Sequence, residues 1–240
     1  MLRRKTLIIG YPGEEGDDNY CLQGVNADIN NYTNHLYSIH GGAWELSEID
    51  NDNMNISYLQ LQTKLNSFYN VDYSIVIFSG HGRYNNQLDE TEIQLNKNTF
   101  VPVSKLNTGC ERQLIICDCC REKTDVILQE SFIKSMCFDS QSFVPNREIY
   151  RTMFDRQLQQ SSLGKIKVFS CSVGECAQDC GTAGGMFSHY LLKSASGNSN
   201  LTVAQTFNQA YDLVVDKSDD KQHPQMMRAR SGNTFPFYLA

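Results

Sequence analysis

The chain predicts an α/β sandwich with a largely parallel sheet, and three observations carry that prediction. Residues 73–82 (YSIVIFSGHG) and 113–123 (QLIICDCCREK) open as short apolar, β-branched runs without polar alternation. That is the pattern of strands buried on both faces. A buried strand at 6–10 (TLIIG) and a further strand at 165–171 (KIKVFSC) alternate with segments of helical spacing, the order expected of parallel strands joined through helices. The two central runs also stop abruptly in reactive side chains: His81 between Gly80 and Gly82, and Asp118, Cys119, Cys120 and Arg121. In open α/β sheets catalytic groups gather beyond the carboxyl ends of the strands. Neighbouring strands ending this way would set an imidazole beside a thiol, as a cysteine nucleophile requires.

Taken in order, residues 6–10 read as the first buried strand and 11–20 as a glycine- and acid-rich loop. Val25, Ile29, Tyr32 and Leu36 recur at helical spacing through 24–37, and Gly41-Gly42 is a stop. Residues 44–49 read as a second, partly exposed strand. Leu59, Leu61, Leu65 and Phe68 give 57–69 a helical period, after which the strand to His81 begins. Residues 83–91 are polar, and 92–95 with 100–103 pattern as a short hairpin. Residues 122–164 form a connection too long for ordinary core elements, with 147–160 suited to a helix. The strand at 165–171 precedes two closing helices, at 185–194 and 203–215, and a last apolar piece at 235–239.

Composition narrows the function classes. At 240 residues and 40% hydrophobic content the chain is long enough for one sizeable core. A net charge of −6 offers no basic surface for nucleic acid or anionic membrane. Apolar runs of five to seven residues fall far short of the roughly 20 that a membrane span needs. The basic start, MLRRK, precedes an apolar stretch too short for a signal-peptide core, which points to a cytoplasmic protein. Nine cysteines without a secretion signal then read as free thiols rather than a disulfide framework. Cys117-x-x-Cys120 has the spacing of a redox or zinc pair, but Cys171, Cys176 and Cys180 do not supply a matching second pair.

SGHG after one apolar strand and D-x-C-R after the next resemble the two signature sites of caspase-like cysteine peptidases, most closely the metacaspase and paracaspase branch. The resemblance extends to residues 7–10 with 22–28, to 168–175, and to Gly185-Met186-Phe187-Ser188. It implies a three-layer αβα sandwich with a mostly parallel central sheet of about six strands. It further implies one peptidase domain over 1–240, divided into a large-subunit-like region (about 1–125), an intersubunit-like loop (126–163) and a small-subunit-like region (164–240). His81 lies 39 positions before Cys120, against about 50 in the caspase signature. Arg121 is followed by Glu122 where that signature has glycine.

Matching D-x-C makes Cys120 the nucleophile and His81 its catalytic partner. Cys119 competes for the role, although side chains alternate along an extended segment and the two thiols cannot face the same way. The backbone N–H groups of Gly82 and Cys120 are candidates for the oxyanion hole. The basic-specific branch reads its substrate with carboxylates, which here match Asp28, Asp118 and Glu175, with Asp179 as alternative to Glu175. Carboxylates converging on one pocket would bind a P1 Arg or Lys. The expected reaction is hydrolysis of a protein or peptide after a basic residue, through a thioester acyl-enzyme. No cofactor is required; calcium activates some metacaspases, but no ligand cluster is dense enough to assign a site. For activation the sequence leaves three routes open: cleavage of the 122–164 connection, which carries Lys123, Lys134, Arg147, Arg151 and Arg156, a partner protein, or homodimerisation. The competing readings are a catalytically silent caspase-like scaffold and a redox or zinc module built on Cys117, Cys119 and Cys120.

Overall fold

The computed structural model describes residues 2–14, 22–123, 146–228 and 234–240. A six-stranded sheet forms its centre, built from β1 (Arg4–Tyr11), β2 (Ile49–Asp50), β3 (Tyr73–Gly80), β7 (Arg112–Asp118), β8 (Gly164–Phe169) and β10 (Gln225–Arg228). The spatial order is β10-β8-β7-β3-β1-β2, and only β10 runs antiparallel to its neighbour. The sheet is mostly parallel, as the sequence predicts, and the fold is the expected three-layer α/β architecture.

The absence of polar alternation in the central strands now has its reason. Ile8, Ile75, Ile77, Leu114 and Ile116 enter one core, while Leu7, Ile9, Val76, Phe78, Ile115 and Cys117 enter another on the opposite face. Successive side chains of a strand point to opposite faces, so two buried faces favour apolar residues at successive positions, with the buried Thr6, Ser74 and Gln113 as exceptions. Helices α1 (Gly24–Tyr37), α3 (Arg147–Gln160), α4 (Met186–Ser194) and α5 (Val203–Lys217) cover the first core. Val25, Ile29, Tyr32 and Leu36, the apolar stripe read from the sequence, are the buried face of α1. The second core is covered by α2 (Tyr58–Asn66) and a small antiparallel sheet of β4 (Gly82–Asn85), β5 (Glu90–Asn96) and β6 (Thr99–Pro102). The first of these, α2, starts at Ser57, whose hydroxyl accepts from the Gln60 N–H while the Gln60 side chain accepts from the Ser57 N–H.

Three local expectations are corrected. Residues 44–49 do not extend as a strand: Trp44 is fully buried and lies near the Tyr73 and Phe154 rings, and Glu45 and Glu48 cap a single 3-10 turn at Leu46–Glu48. Only Ile49–Asp50 pairs with β1. The polar stretch after His81 contains β4, a strand whose half-buried residues pair with β5 and which lacks the apolar signal used to find the others. Residues 225–228 add the antiparallel edge strand β10, equally silent because it is short and half exposed. A further pair, β9 (Leu201–Thr202) with β11 (Pro236–Tyr238), ties the C-terminal apolar piece to the start of α5.

The long connection contains α3, over the span the sequence suggested; its residues 124–145 lie outside the described residues. Helix α3 is fastened through charge. Arg151 is ion-paired to Glu48 at 2.6 Å, and Asp155 sits 3.5 Å from the guanidinium of Arg4. Arg4 is buried, also faces Glu48, and lies over the Trp44 ring at 4.7 Å. Burial and the neighbouring Arg151 pull its guanidinium down to about 10, so it stays protonated at neutral pH. Buried cations of this kind are tolerated because carboxylates and the Gly42 and Ala43 carbonyls surround them.

The two-core arrangement separates residues that look alike in sequence. Ile116→Ala should cost about 2–5 kcal/mol by leaving a cavity in the first core. Leu59→Ala should stay within about 0.5 kcal/mol, because Leu59 is 71% exposed despite its place in the helical apolar period. Urea midpoints of the two variants check the pair, and equal losses would contradict the placement.

Candidate active site

The site forms where β3 and β7 leave the sheet together. The strands pair in parallel from Tyr73 with Arg112 to Ser79 with Asp118, so their carboxyl ends are level. Gly80 then crosses β1 at φ +145°, with its Cα so close to the Tyr11 carbonyl that a Cβ would collide with it. His81 comes next, its N–H donating to that carbonyl at 3.3 Å. Gly82 passes over the other strand: a Cβ there would lie 2.6 Å from Cys119 Sγ and 3.0 Å from the Cys120 carbonyl. The flanking glycines of SGHG are therefore the condition for bringing the His81 segment onto the Cys119-Cys120 segment.

His81 is largely buried, and its Nε2 lies 3.2 Å from the Pro12 carbonyl. A carbonyl only accepts, so Nε2 carries a proton there and Nδ1 is the nitrogen that exchanges one. Sequence reasoning misses Pro12 because a backbone carbonyl has no side-chain signature. The Tyr11 ring meets the imidazole edge-on at 6.2 Å.

The two adjacent cysteines have different surroundings. Cys119 is 2% exposed within the second core, and burial pushes its thiol well above the ordinary cysteine range. Cys120 is half-buried, lines the cleft, and its Sγ lies 3.7 Å from the Ala177 carbonyl. Cys117 points into the second core with its thiol pushed up to about 12 by burial. A thiol that must ionise and meet substrate fits position 120 and not 117 or 119.

Beside Cys120 an open cleft of about 290 Å³ is lined by Asp28, Ser79, Asp118, Ala177 and Asp179. The Asp28 carboxylate, from the buried face of α1, accepts from Ser79 Oγ at 2.6 Å and from the Gly185 N–H at 3.0 Å. The Asp118 carboxylate accepts from the Ser188 N–H at 2.9 Å, at the start of α4. Asp179 accepts from the Gly24 and Gly181 N–H groups at 3.0 and 2.7 Å. Burial, with Asp118 as the nearest like charge, pushes Asp28 well above the usual carboxylate range. Burial raises Asp118 and Asp179 as well, with the His81 charge opposing the shift at Asp179.

Glu175 is not part of this cleft. Its carboxylate accepts from the Ser172 and His223 N–H groups at 3.0 and 2.8 Å and pairs with His223 Nδ1 at 2.8 Å. Of the two acids considered in the loop after β8, Asp179 is the one among the cleft's lining residues. The difference is a matter of how the loop folds back, which spacing along the chain does not encode. Arg121 is likewise turned away from the cleft, with its guanidinium donating to Thr91 Oγ1, the Cys171 carbonyl and Gln225 Oε1 and lying over the Phe169 ring. The two backbone N–H groups considered for an oxyanion hole, of Gly82 and Cys120, belong to the two segments that converge here.

No helix among the described residues is long and apolar enough to cross a membrane. No curated protein matches the chain. Among solved structures, that of caspase-1 from Spodoptera frugiperda matches with a TM-score of 0.59 at 13% identity, over 100% of this chain and 90% of that one. At that identity the likeness concerns the fold. The family model described as the caspase domain matches residues 3–236. With this match spanning nearly the whole chain, over a site that ends one strand in histidine and its neighbour in cysteine, the chain belongs to the caspase-domain family of cysteine-type endopeptidases.

Proposed function

We propose that the chain hydrolyses peptide bonds after Arg or Lys, with Cys120 as nucleophile and His81 as its acid–base partner. The observation that carries the specificity is the cleft beside Cys120, into which Asp28, Asp118 and Asp179 bring three carboxylates. Neither lysine nor arginine is ion-paired to any of the three among the described residues. Clustered buried carboxylates resist ionisation, and a guanidinium placed among them removes both the repulsion and the lack of a counter-charge. Arg would gain more than Lys, because its fork can engage two carboxylates at once.

The Cys120 thiolate attacks the carbonyl carbon after the basic residue, and the carbonyl oxygen becomes an oxyanion facing the Gly82 and Cys120 N–H groups. Collapse expels the amine, which takes a proton from His81, and leaves a thioester on Cys120. His81 then accepts a proton from water as the water attacks the thioester, releasing the new carboxyl terminus and restoring the thiolate beside a protonated His81. Pro12 fixes the ring through Nε2, so the shuttled proton sits on Nδ1.

Within the long connection, Arg147 and Arg151 are engaged with the Tyr37 and Trp44 carbonyls and with Glu48, and Arg151 is buried. Activating self-cleavage would therefore fall at Lys123, Lys134 or the exposed Arg156 rather than at Arg147 or Arg151. Intact mass after incubation, beside Cys120→Ala, would show cleavage after one of these three residues; an active enzyme that stays whole would speak against self-processing.

Fluorogenic peptides ending in Arg, Lys or Asp test the specificity. Arg and Lys peptides should be turned over and the Asp peptide should not. Cys120→Ala should lower kcat on the order of 10⁴-fold or more, whereas Cys119→Ala should retain turnover. Asp28→Asn should lower kcat/KM for the Arg peptide by roughly ten- to a hundredfold, the equivalent of one charged hydrogen bond. Preference for Asp would overturn the carboxylate pocket while leaving the nucleophile standing.

The raised carboxyls also set a pH dependence. A carboxyl raised in the folded state contributes stability below its unfolded value of about 4, and that contribution is lost as pH rises through the folded value. A bound cation reverses this by favouring ionisation. Agmatine, a guanidinium without a peptide, should therefore raise Tm more at pH 7.5 than at pH 4.5. A shift independent of pH would mean that it binds elsewhere.

A further inference from the structure

Both chain neighbours of Cys120 are held by the segment after β8. Ser170 Oγ accepts from the Cys119 N–H at 3.0 Å and donates to the Cys119 carbonyl at 3.1 Å. On the other side the Arg121 N–H donates to the Glu175 carbonyl at 2.9 Å, and the Gly174 N–H donates to the Arg121 carbonyl at 2.8 Å. The same segment supplies the Ala177 carbonyl next to the Cys120 thiol and Asp179 in the cleft. Where this loop sits therefore sets where the nucleophile sits.

The loop is in turn clasped by the turn after α5. His223 bonds Glu175 twice, N–H to Oε2 at 2.8 Å and Nδ1 to Oε1 at 2.8 Å, and its carbonyl accepts from Ser172 Oγ at 2.9 Å. The adjacent Gln222 is fully buried, donates to the Ser170 carbonyl and accepts from the Gln178 N–H, both at 2.9 Å. The charged groups facing the His223 ring are Glu175 from the loop and Asp220 from its own turn, the latter 3.0 Å from Nε2.

We propose that His223 is a positioning residue for the nucleophile, fastening through Glu175 the loop that fixes both flanks of Cys120. The inference rests on Cys120 as the nucleophile and deepens that reading, but it does not depend on the P1 preference. An imidazole with a carboxylate on each nitrogen binds best when both nitrogens carry protons. First Glu175 and then Asp220 hold His223 above the ordinary histidine range, so the doubly bonded form persists toward neutrality. The clasp is therefore complete below the usual histidine range and loosens as pH rises through the folded value.

The test is carried out on the full chain, with two readouts. One is kcat/KM on an Arg peptide from pH 5.5 to 9. The other is the rate at which iodoacetamide labels Cys120, read by peptide mass, which needs no substrate and so is untouched by a wrong P1 assignment. His223→Gln should be slower in both by about tenfold near pH 6, within the ~10²-fold that a displacement of 1 Å can cost. The ratio of wild type to variant should fall toward one as pH rises through the titration of His223. Asp220→Asn should keep the wild-type rates near pH 6 and begin to lose them at lower pH than wild type does. Asp220 is exposed and has φ +62°, a conformation asparagine also accepts, so this variant decides the matter if His223→Gln does not fold. A ratio of one at every pH, or a constant deficit without inflection, would overturn the proposal; the second result is what a merely structural histidine would give.

Discussion

The parallel pairing of β3 with β7 is the constraint on which the molecule depends. It brings two strand ends level, and the reactive groups of the site sit on the residues at and just beyond those ends. The register has no freedom, because both faces of both strands are buried in separate apolar cores. A slip of one residue would exchange the two faces of a strand wholesale. Placement of His81 against the cysteine segment is thus enforced by hydrophobic burial many residues away, and the glycines at 80 and 82 only permit the final approach.

The molecule contains two kinds of buried charge, and their contrast is informative. Around Arg4 the two arginines and two acids balance, and they hold α3 and the Trp44 turn against the sheet. Around Asp28 three acids gather with backbone amides and hydroxyls as their hydrogen-bond donors. Such an arrangement opposes ionisation and costs stability in the free protein, so it suits a site that a cationic side chain completes. The amides that hold these carboxylates come from Gly24, Gly181, Gly185 and Ser188, at or near the starts of α1 and α4. On the proposed reading, recognition of a basic side chain is thereby coupled to the packing of two helices on one face of the sheet.

Much of this is legible in the chain. The strand runs at 6–10, 73–80 and 113–118 declare themselves because burial on both sides leaves them mostly apolar, and 165–169 shows through Ile166, Val168 and Phe169 beside its half-buried lysines. The α1 stripe is equally plain, and the histidine and cysteine stand out because reactive groups come directly after apolar strands. Legibility fails where exposure is partial. The edge strand β10 and the strand β4 carry mixed residues, and the tryptophan segment looks extended until the 3-10 turn swings Trp44 inward. Leu59 shows the converse error, since an apolar residue on the helical period faces solvent.

The sequence by itself determined the layered α/β fold, its parallel sheet and the two strand ends that carry His81 and Cys120, because those depend on local hydrophobic pattern and on order along the chain. Only the tertiary structure decided which groups meet there. It buried Cys119 and left Cys120 at the cleft, it recruited the Pro12 carbonyl to His81, and it placed Asp179 rather than Glu175 among the cleft's acids. Each of these depends on how a loop folds back onto a strand end. Contacts between residues far apart in the chain, with no periodicity to announce them, become readable only once the backbone is in place.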